Sequence, residues 1–293
     1  MDNFIVLYNP LAGNGTAQDK MRELESLMQG DRLYFSNMLD TRDYGAFFND
    51  MPDGASIIIC GGDGTLNRFL NDTEDIRPDC DIYYYPSGSG NDFARDIGAE
   101  RGAPPVLINR YIERLPKICV NGKEHRFING IGYGIDGYCC EKGDELRGKG
   151  NGEVNYTAIA IKGLLFHYKP TGATITVDGV EHRFEKVWLA PTMIGRYYGG
   201  GMMPTPEQDR LNGDGAVSVM VYYGSGKLKS LAVFPSIFKG EHIKHSEMVA
   251  VLSGRNITVC FDEPRPLQID GETVSGVREH SVTACEEKVL QPA

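Results

Sequence analysis

The feature that most constrains the fold is a repeated unit in the first third of the chain. Each of its three copies consists of a strand, a turn of small residues and the start of a helix. Residues 4–8 run into Asn9-Pro-Leu-Ala-Gly13, and Thr16 could cap a helix that reaches about residue 28. Residues 56–60 lead into Gly61-Gly-Asp-Gly64, and residues 81–85 lead into Pro86-Ser-Gly-Ser-Gly90. Repeated units of this kind predict a parallel α/β sheet, Rossmann-like, whose turns gather at the carboxyl ends of the strands.

The pattern changes after about residue 116, where strands and hairpin turns replace the helices. Asn121-Gly122 and Asp178-Gly179 are two-residue hairpin turns between short apolar runs. Further strands are predicted at 187–190, 216–222, 256–261 and 267–269, and helices at 154–166 and 228–238. We therefore predict an α/β domain over residues 1–120 and a β-rich sandwich domain over residues 121–293, whose last strand could return to the first domain.

Composition and charge exclude several classes of protein. The net charge is −10, which argues against nucleic-acid binding. No apolar stretch reaches the roughly 20 residues of a membrane-spanning helix, and the first residues lack the basic region of a signal peptide. The seven cysteines include no C-x-x-C pair, so reduced thiols in a cytoplasmic protein are expected.

The glycine turn after the second strand has the composition of a phosphate-binding loop. Glycine lets the backbone approach an anion, and a helix start offers N–H groups to it. Asp63 would repel phosphate directly, but it suits a Mg²⁺ ion that bridges phosphate oxygens. The alternative is an ordinary turn between a strand and a helix.

The glycine turn after the third strand repeats this plan with Asp92 at the next helix start. Because both turns follow parallel strands, Asp63 and Asp92 are expected to face one cleft. The alternative is that Asn91 caps the helix and Asp92 only serves its dipole. No G-x-x-x-x-G-K-[ST] run is present, which excludes a P-loop enzyme.

Several motifs in order carry a resemblance to a known family. Asn9-Pro10 with Gly13, G-G-D-G-T-L-N at 61–67 and P-S-G-S-G-N-D-F-A-R at 86–95 resemble the diacylglycerol kinase catalytic family, which includes bacterial soluble lipid kinases and sphingosine kinases. The segments at 129–136, 199–203, 211–215, 244–245 and 270–272 follow in the family's order, so the resemblance covers nearly the whole chain. One departure is Ser89, where the family usually has threonine.

The resemblance implies a role for each matching position. ATP would contact Asn9, Thr41, Gly61, Gly62, Asp63, Gly64, Thr65, Asn67, Ser87, Gly88, Ser89 and Asn91. A carboxylate, water and Mg²⁺ network would include Asp63, Asp92 and Asp136, and a second, structural Mg²⁺ would bind Asp214 and the main-chain oxygens of Leu211 and Ala216. The base would be Asp270 or Glu272, with a slight preference for Asp270. Residues two apart on a strand face the same way, so the sequence does not separate these two carboxylates.

The function that these roles imply is an ATP- and Mg²⁺-dependent lipid kinase, a phosphotransferase with an alcohol group as acceptor. The fold would then be of the NAD-kinase and diacylglycerol-kinase type, with nucleotide bound by the first domain and a diacylglycerol-like lipid by the second. NAD kinases share the G-G-D-G motif and a related architecture, so an NAD or other small-molecule kinase is the enzymatic alternative. A non-catalytic lipid-binding protein on a kinase fold is the other alternative.

The sequence also carries expectations about partners. Lys227, Lys229, Lys239 and Lys244 surround the apolar helix predicted at 228–238, which suits transient contact with a membrane that presents the lipid. The alternative is a core-facing helix with a solvated lysine face. A strand edge in the β-rich domain could support a homodimer, and the expected location is the cytoplasm, peripheral to the membrane.

Three further segments are ambiguous. Gly132, Gly134 and Gly137 match the dinucleotide-binding pattern G-x-G-x-x-G, although in a hairpin-rich region. His242 and His245 have the spacing of metal ligands, but an exposed basic segment is the favoured interpretation. Residues 143–150 are interpreted as a solvated connection or a loop over the site.

Overall fold

The computed structural model describes residues 2–10, 17–76, 78–148, 159–160 and 162–285. The chain divides into two compact units, Met1–Glu113 and Arg114–Ala293. The boundary lies before the hairpin at residues 117–126, because the first strand of that hairpin pairs with residues 280–283 near the end of the chain. Outside the described residues lie Gly13, Thr16, residues 149–150 of the segment 143–150, and residues 154–158 and 161 of the helix predicted at 154–166.

The first unit is an α/β unit. In chain order its described elements are β1 (Asn3–Tyr8), α1 (Ala17–Leu27), β2 (Arg32–Asn37), α2 (Tyr44–Asn49), β3 (Ser56–Gly61), α3 (Asp63–Asp72), β4 (Ile82–Pro86), α4 (Asp92–Ile97), β5 (Val106–Leu107) and α5 (Asn109–Ile112). The sheet order is β2-β1-β3-β4-β5; the first four strands are parallel and β5 is antiparallel. The predicted parallel sheet is therefore confirmed.

Burial explains why these runs form the central strands. Four consecutive residues of β1 and five of β3 are buried, as expected for strands with both faces covered. One face packs a cluster of Phe4, Val6, Leu24, Ile58, Cys60 and Tyr85. The chain leaves β1 for β2 on one side and returns to β3 on the other, so the sheet has a topological switch point between β1 and β3.

The second unit is rich in β-strands. Its described elements are β6 (Lys117–Val120), β7 (Lys123–Arg126), β8 (Gly130–Tyr133), α6 (Ile135–Gly148), β9 (Thr171–Val177), β10 (Val180–Val187), β11 (Thr192–Met193), β12 (Val217–Tyr222), α7 (Lys227–Val233), β13 (Val249–Gly254), β14 (Asn256–Ile269) and β15 (Glu272–Thr283). A π-helical turn covers Gly163–His167, and 3-10 turns cover Phe234–Lys239 and Glu241–Lys244. The predicted β-rich domain is confirmed.

The long strand β14 organises this unit. Its first half pairs with β9 and its last residues pair with β8, while β15 runs antiparallel along both halves. Irregular register between Cys260 and Leu267 accompanies the change of partner. Pro264 and Pro266 lie in this stretch, and because proline has no N–H to donate, a bulge there is expected.

Several sequence expectations require correction. The last described strand, β15, pairs with β14 and β6 and so stays in the sheet of the second unit, because its partners occupy both of its edges. Residues 143–148 extend helix α6 and are not a connecting loop. The helix predicted at 228–238 is α7 followed by a 3-10 turn, with Pro235 at the start of that turn. Among the described residues, no helix has the length and apolarity needed to cross a membrane.

Candidate active site

The carboxyl ends of the parallel strands gather the predicted nucleotide contacts of the first unit. Asn9 follows β1, and Gly61 ends β3 beside it, at the switch point of the sheet. Thr41 lies in the connection after β2, and Ser87–Asn91 follows β4. In open α/β sheets, this edge is where ligands bind. The predicted gathering of these residues is therefore observed, while their contact with ATP stays a prediction.

The glycines of the two turns are required by a close backbone approach. A Cβ atom on Gly88 would lie 2.5 Å from the Cα atom of Gly62, and the amide of Ser87 donates to the carbonyl of Gly61 at 2.9 Å. A Cβ on Gly61 would meet the side chain of Thr65 at 2.4 Å. The two turns therefore pass each other with only backbone between them, and any larger residue would separate them.

Asp63 joins the two turns. It is the first residue of α3, since Gly62 before it is extended, with φ −95° and ψ −174°. Its Oδ2 accepts the amide of Asp92 at 2.9 Å, and its Oδ1 accepts the amide of Phe93 at 3.0 Å. The carboxylate of Asp63 thus caps α4 from the neighbouring turn. Asp63 and Asp92 are brought together as the sequence predicted.

Asn91 does not cap α4 through its side chain, contrary to the alternative raised from the sequence. It adopts a left-handed backbone conformation (φ 53°, ψ 45°) and donates from Nδ2 to the carbonyl of Gly88 at 2.8 Å. Its Oδ1 is buried and accepts no hydrogen bond among the described residues. Such an unsatisfied buried oxygen is costly, and a ligand or water donor would satisfy it.

The floor of this site is buried and negatively charged. Asp92 is 4% exposed. Tyr84, in β4, is fully buried, and burial, reinforced by the charges of Asp63 and Asp92, raises the pKa of its phenol well above the usual value. Two carboxylates at a buried edge favour a bound cation.

This donor set fits Mg²⁺ that is shared with a nucleotide. Mg²⁺ commonly takes one or two protein carboxylates, with waters and phosphate oxygens completing its shell. Asp63 and Asp92 supply such a pair, although no group of three or more acidic, histidine or cysteine side chains suited to a metal occurs in the described part of the chain. Asp136, the third predicted member, belongs to the second unit, so its part in the network stays a prediction.

Asp136 lies in the first turn of α6, directly after β8. Its Oδ2 accepts a hydrogen bond from Nε2 of Gln268 at 2.9 Å. Burial raises the pKa of this carboxyl to about 6, and the bond from Gln268 partly offsets the rise. Gln268 is 3% exposed and was missed by sequence reasoning. The signal was a glutamine between Leu267 and Ile269 in an apolar strand.

Asp270 and Glu272 differ sharply in their surroundings. Asp270 has φ +46°, and its carboxylate accepts the amides of Ile128 at 2.6 Å, Asn129 at 3.0 Å and Gly130 at 3.0 Å. Glu272, at the start of β15, is exposed. The first carboxylate therefore holds the segment before β8, and the second is open to solvent.

The glycines at 132, 134 and 137 lie in β8, between β8 and α6, and in the first turn of α6, and they serve packing. A Cβ on Gly137 would lie 2.1 Å from the carbonyl oxygen of Pro266, and one on Gly132 would lie 1.6 Å from Oδ2 of Asp136. The helix can therefore approach β14 closely, and the carboxyl of Asp136 occupies the space that a side chain at 132 would fill.

The acidic turn that was predicted to hold a structural Mg²⁺ is closed by side-chain amides. The carbonyl of Ala216 accepts Nε2 of Gln208 at 2.9 Å and Nδ2 of Asn212 at 2.8 Å. Oδ1 of Asp214 accepts the amide of Ala216 at 3.2 Å, and Leu211 is exposed. A metal bound to the Ala216 oxygen would have to displace one of these amides, so this set does not fit Mg²⁺ as it stands.

The basic segment predicted to meet a membrane is partly apolar and exposed. Leu228 is 78% and Phe238 48% exposed, whereas Val233 and Ile237 pack into the core. His242, expected to be exposed, is fully buried, with Nε2 2.9 Å from the carbonyl oxygen of Pro204. It is enclosed because its short 3-10 turn packs against the turn before it.

Comparison with known proteins agrees with this geometry. Residues 3–117 match the diacylglycerol kinase catalytic domain profile, and residues 129–287 match the YegS C-terminal NAD kinase beta sandwich-like domain profile. A diacylglycerol kinase of Mycobacterium tuberculosis (strain CDC 1551 / Oshkosh) is 26% identical over 200 residues, covering 66% of this chain and 63% of that protein. The match thus spans less than two thirds of that relative. A diacylglycerol kinase of Bacillus subtilis (strain 168) is 29% identical over 224 residues, covering 74% of this chain and 70% of that protein.

Solved structures share the fold. The crystal structure of a diacylglycerol kinase from Bacillus anthracis str. Sterne has a TM-score of 0.60 at 18% identity, covering 97% of this chain and 94% of that chain. A second solved chain from the same strain gives a TM-score of 0.67 at 17% identity, covering 97% and 93%. Because one family profile matches more than half of the sequence and the other matches the unit with the glycine turns, the chain belongs to the diacylglycerol kinase-like lipid kinase family.

Proposed function

We propose that this protein is an ATP- and Mg²⁺-dependent lipid kinase that transfers the γ-phosphate of ATP to a hydroxyl group of a diacylglycerol-like lipid. Membership of a kinase family implies the use of ATP. The observation that carries the proposal is the junction of the two glycine turns, where Asp63 binds the start of α4 at the switch point of the sheet. The relatives named diacylglycerol kinase suggest the acceptor.

The first unit would bind and orient the nucleotide. Gly64 and Ser89 are exposed members of the turns at 61–64 and 87–90, so their N–H groups can face phosphate oxygens. Asp63 and Asp92 would hold Mg²⁺, with Asp136 as a further carboxylate. The chemistry that Mg²⁺ supplies when bound is neutralisation of charge on the phosphate oxygens.

The second unit would supply the base, and we assign that role to Glu272. Asp270 already accepts three backbone amides, so it serves as a structural anchor, whereas Glu272 is exposed and available to a substrate. The carboxylate of Glu272 would take the proton of the acceptor hydroxyl as its oxygen attacks the γ-phosphorus, and the bond to the bridging oxygen would break with ADP leaving.

The lipid would be met at a membrane surface through transient contact. Leu228 and Phe238 present apolar surface next to Lys227 and Lys239 in the sequence. An apolar segment flanked by cations favours anionic lipid. The overall charge of −10 opposes strong binding, which is why the contact is expected to be brief.

The test is transfer of labelled γ-phosphate from ATP, with Mg²⁺, to mixed micelles. The micelles contain diacylglycerol, a sphingoid base, ceramide and phosphatidylglycerol, and NAD is dissolved in the aqueous phase. Label in the organic phase on diacylglycerol is the expected result. Label on NAD would instead establish the small-molecule alternative. Absence of transfer to every acceptor, with ATP bound, would refute the kinase and favour a non-catalytic lipid-binding protein.

A further inference from the structure

Gln268 is a buried amide in a strand interior, where an apolar residue is expected. It lies in β14 between Leu267 and Ile269, and all three residues are buried. Adjacent residues of a strand point to opposite faces, so Gln268 faces away from its two apolar neighbours. A buried amide costs free energy unless its donor and acceptor are both paired.

Both ends of this amide are paired, and with different parts of the site. Nε2 donates to Oδ2 of Asp136 at 2.9 Å, and Oε1 accepts the amide of Gly271 at 2.6 Å. The opposite assignment of the oxygen and nitrogen would place the oxygen against a carboxylate and the NH₂ against an N–H. The partners therefore determine the orientation of the amide.

The surroundings keep this arrangement in place. Gly132 lies directly across from Gln268 in the β8–β14 pair, and a Cβ there would lie 2.7 Å from Nε2 of Gln268. Asp136 lies in the first turn of α6, and one turn farther along this helix Glu141 accepts a hydrogen bond from the hydroxyl of Ser275 in β15 at 2.7 Å. Helix α6 is thus attached to the β14–β15 hairpin at its start by Gln268 and later by Ser275.

We propose that Gln268 is a positioning residue that holds the carboxylate of Asp136 and the turn at residues 270–272 in one fixed arrangement. Its catalytic consequence rests on the proposed function, in which Asp136 belongs to the metal network and Glu272 is the base. Gln268 touches neither substrate nor nucleotide in this role. It sets the separation of two groups that must act on the same phosphoryl transfer.

Two substitutions separate the two hydrogen bonds. Gln268→Leu removes both, while Gln268→Glu keeps the oxygen that accepts from Gly271 and puts a second carboxyl oxygen against Asp136 in place of the NH₂ donor. Ser275→Ala is the matched control, because it removes one hydrogen bond between the same helix and the same hairpin. Each variant is measured for kcat, for KM of ATP, and for hydrogen exchange at the Gly271 amide.

Gln268→Leu should lower kcat by about 10²-fold, the loss expected from misplacing a reacting group by about 1 Å, with KM for ATP within about threefold. Its Gly271 amide should exchange about fivefold faster, because it loses a hydrogen bond worth roughly 1 kcal/mol. Gln268→Glu should also have a lower kcat, while its Gly271 amide stays protected from exchange. This variant tests the proposal if the leucine variant does not fold. Ser275→Ala should keep kcat within about twofold of the wild type.

Two results would overturn the positioning role. One is a kcat for both Gln268 variants equal to that of Ser275→Ala. The other is unchanged exchange at Gly271 in Gln268→Leu. A wild-type chain that transfers no phosphate would refute the proposed function separately. Hydrogen exchange at the Gly271 amide would then be the test of whether Gln268 holds the turn, and faster exchange in the leucine variant would support it.

Discussion

Replacing Asp63 by asparagine tests two roles of one carboxylate, one observed in the structure and one proposed. The side chain caps α4 by accepting the amides of Asp92 and Phe93, and it is the proposed metal carboxylate. Asparagine keeps one acceptor oxygen, so it can serve only one amide, and its NH₂ would face the other. The substitution therefore affects both stability and catalysis, and the expected loss in each must be compared.

The loss of the cap should lower the free energy of unfolding by about 1–2 kcal/mol, the range for losing a helix N-cap. A protein that starts with about 5 kcal/mol of stability stays more than about 99% folded after that loss. Unfolding thus cannot account for a large fall in rate. Loss of one electrostatic stabiliser at the phosphates should reduce kcat by about 10²-fold or more.

The assay measures transfer of labelled phosphate to lipid micelles over a range of Mg²⁺ concentrations, beside urea unfolding of the same samples. Asp178→Asn is the matched control, because that carboxylate also accepts two neighbouring backbone amides, those of Arg255 and Asn256. It should lose stability and keep kcat. Asp63→Asn with wild-type kcat and wild-type Mg²⁺ dependence, but reduced stability, would show that Asp63 is a helix cap and nothing more.

Three further predictions test the remaining assignments. Glu272→Gln should lower kcat by about 10²-fold or more and leave the urea midpoint unchanged, whereas Asp270→Asn should lower the midpoint because its side chain loses hydrogen bonds from backbone amides. A wild-type rate for Glu272→Gln would contradict the assignment of the base. Gly88→Ala should lower the free energy of unfolding in urea by about 1–3 kcal/mol, because its Cβ would lie 2.5 Å from the Cα of Gly62. Gly64→Ala, in open space within α3, should be neutral or stabilising, and equal urea midpoints for the two variants would refute the close approach. Burial lowers the pKa of His280 to about 3 from the usual 6.5, so as the pH falls below 6.5 the unfolded chain takes up a proton that the folded chain does not. The free energy of unfolding should therefore fall by about 2 kcal/mol between pH 7 and pH 5. This part of the pH dependence should vanish in His280→Phe, and an identical pH dependence in both proteins would contradict it.

The order of strands, glycine turns and helix starts in the first unit was predictable because it depends on local chemistry. Runs such as residues 56–60 are apolar enough to require burial on both faces, and the glycines that follow tolerate only a few backbone arrangements. The proximity of Asp63 and Asp92 followed from the rule that parallel strands end at one edge. Elements with weak apolar patterns were missed: β2 has no buried residue and half of the residues of β15 are exposed, so pairing with neighbours makes them strands.

The sequence alone therefore determined the succession of an α/β unit and a β-rich unit, and it predicted which carboxylates form the proposed site. Only the tertiary structure decided what each carboxylate does, because hydrogen-bond partners come from distant parts of the chain. Asp270 and Glu272 are two residues apart and look equivalent in sequence, yet the amides of residues 128–130 occupy the first and leave the second exposed. Gln268 acquires its role in the same way, since Asp136 and Gly271 meet at its amide only after α6 packs on β14.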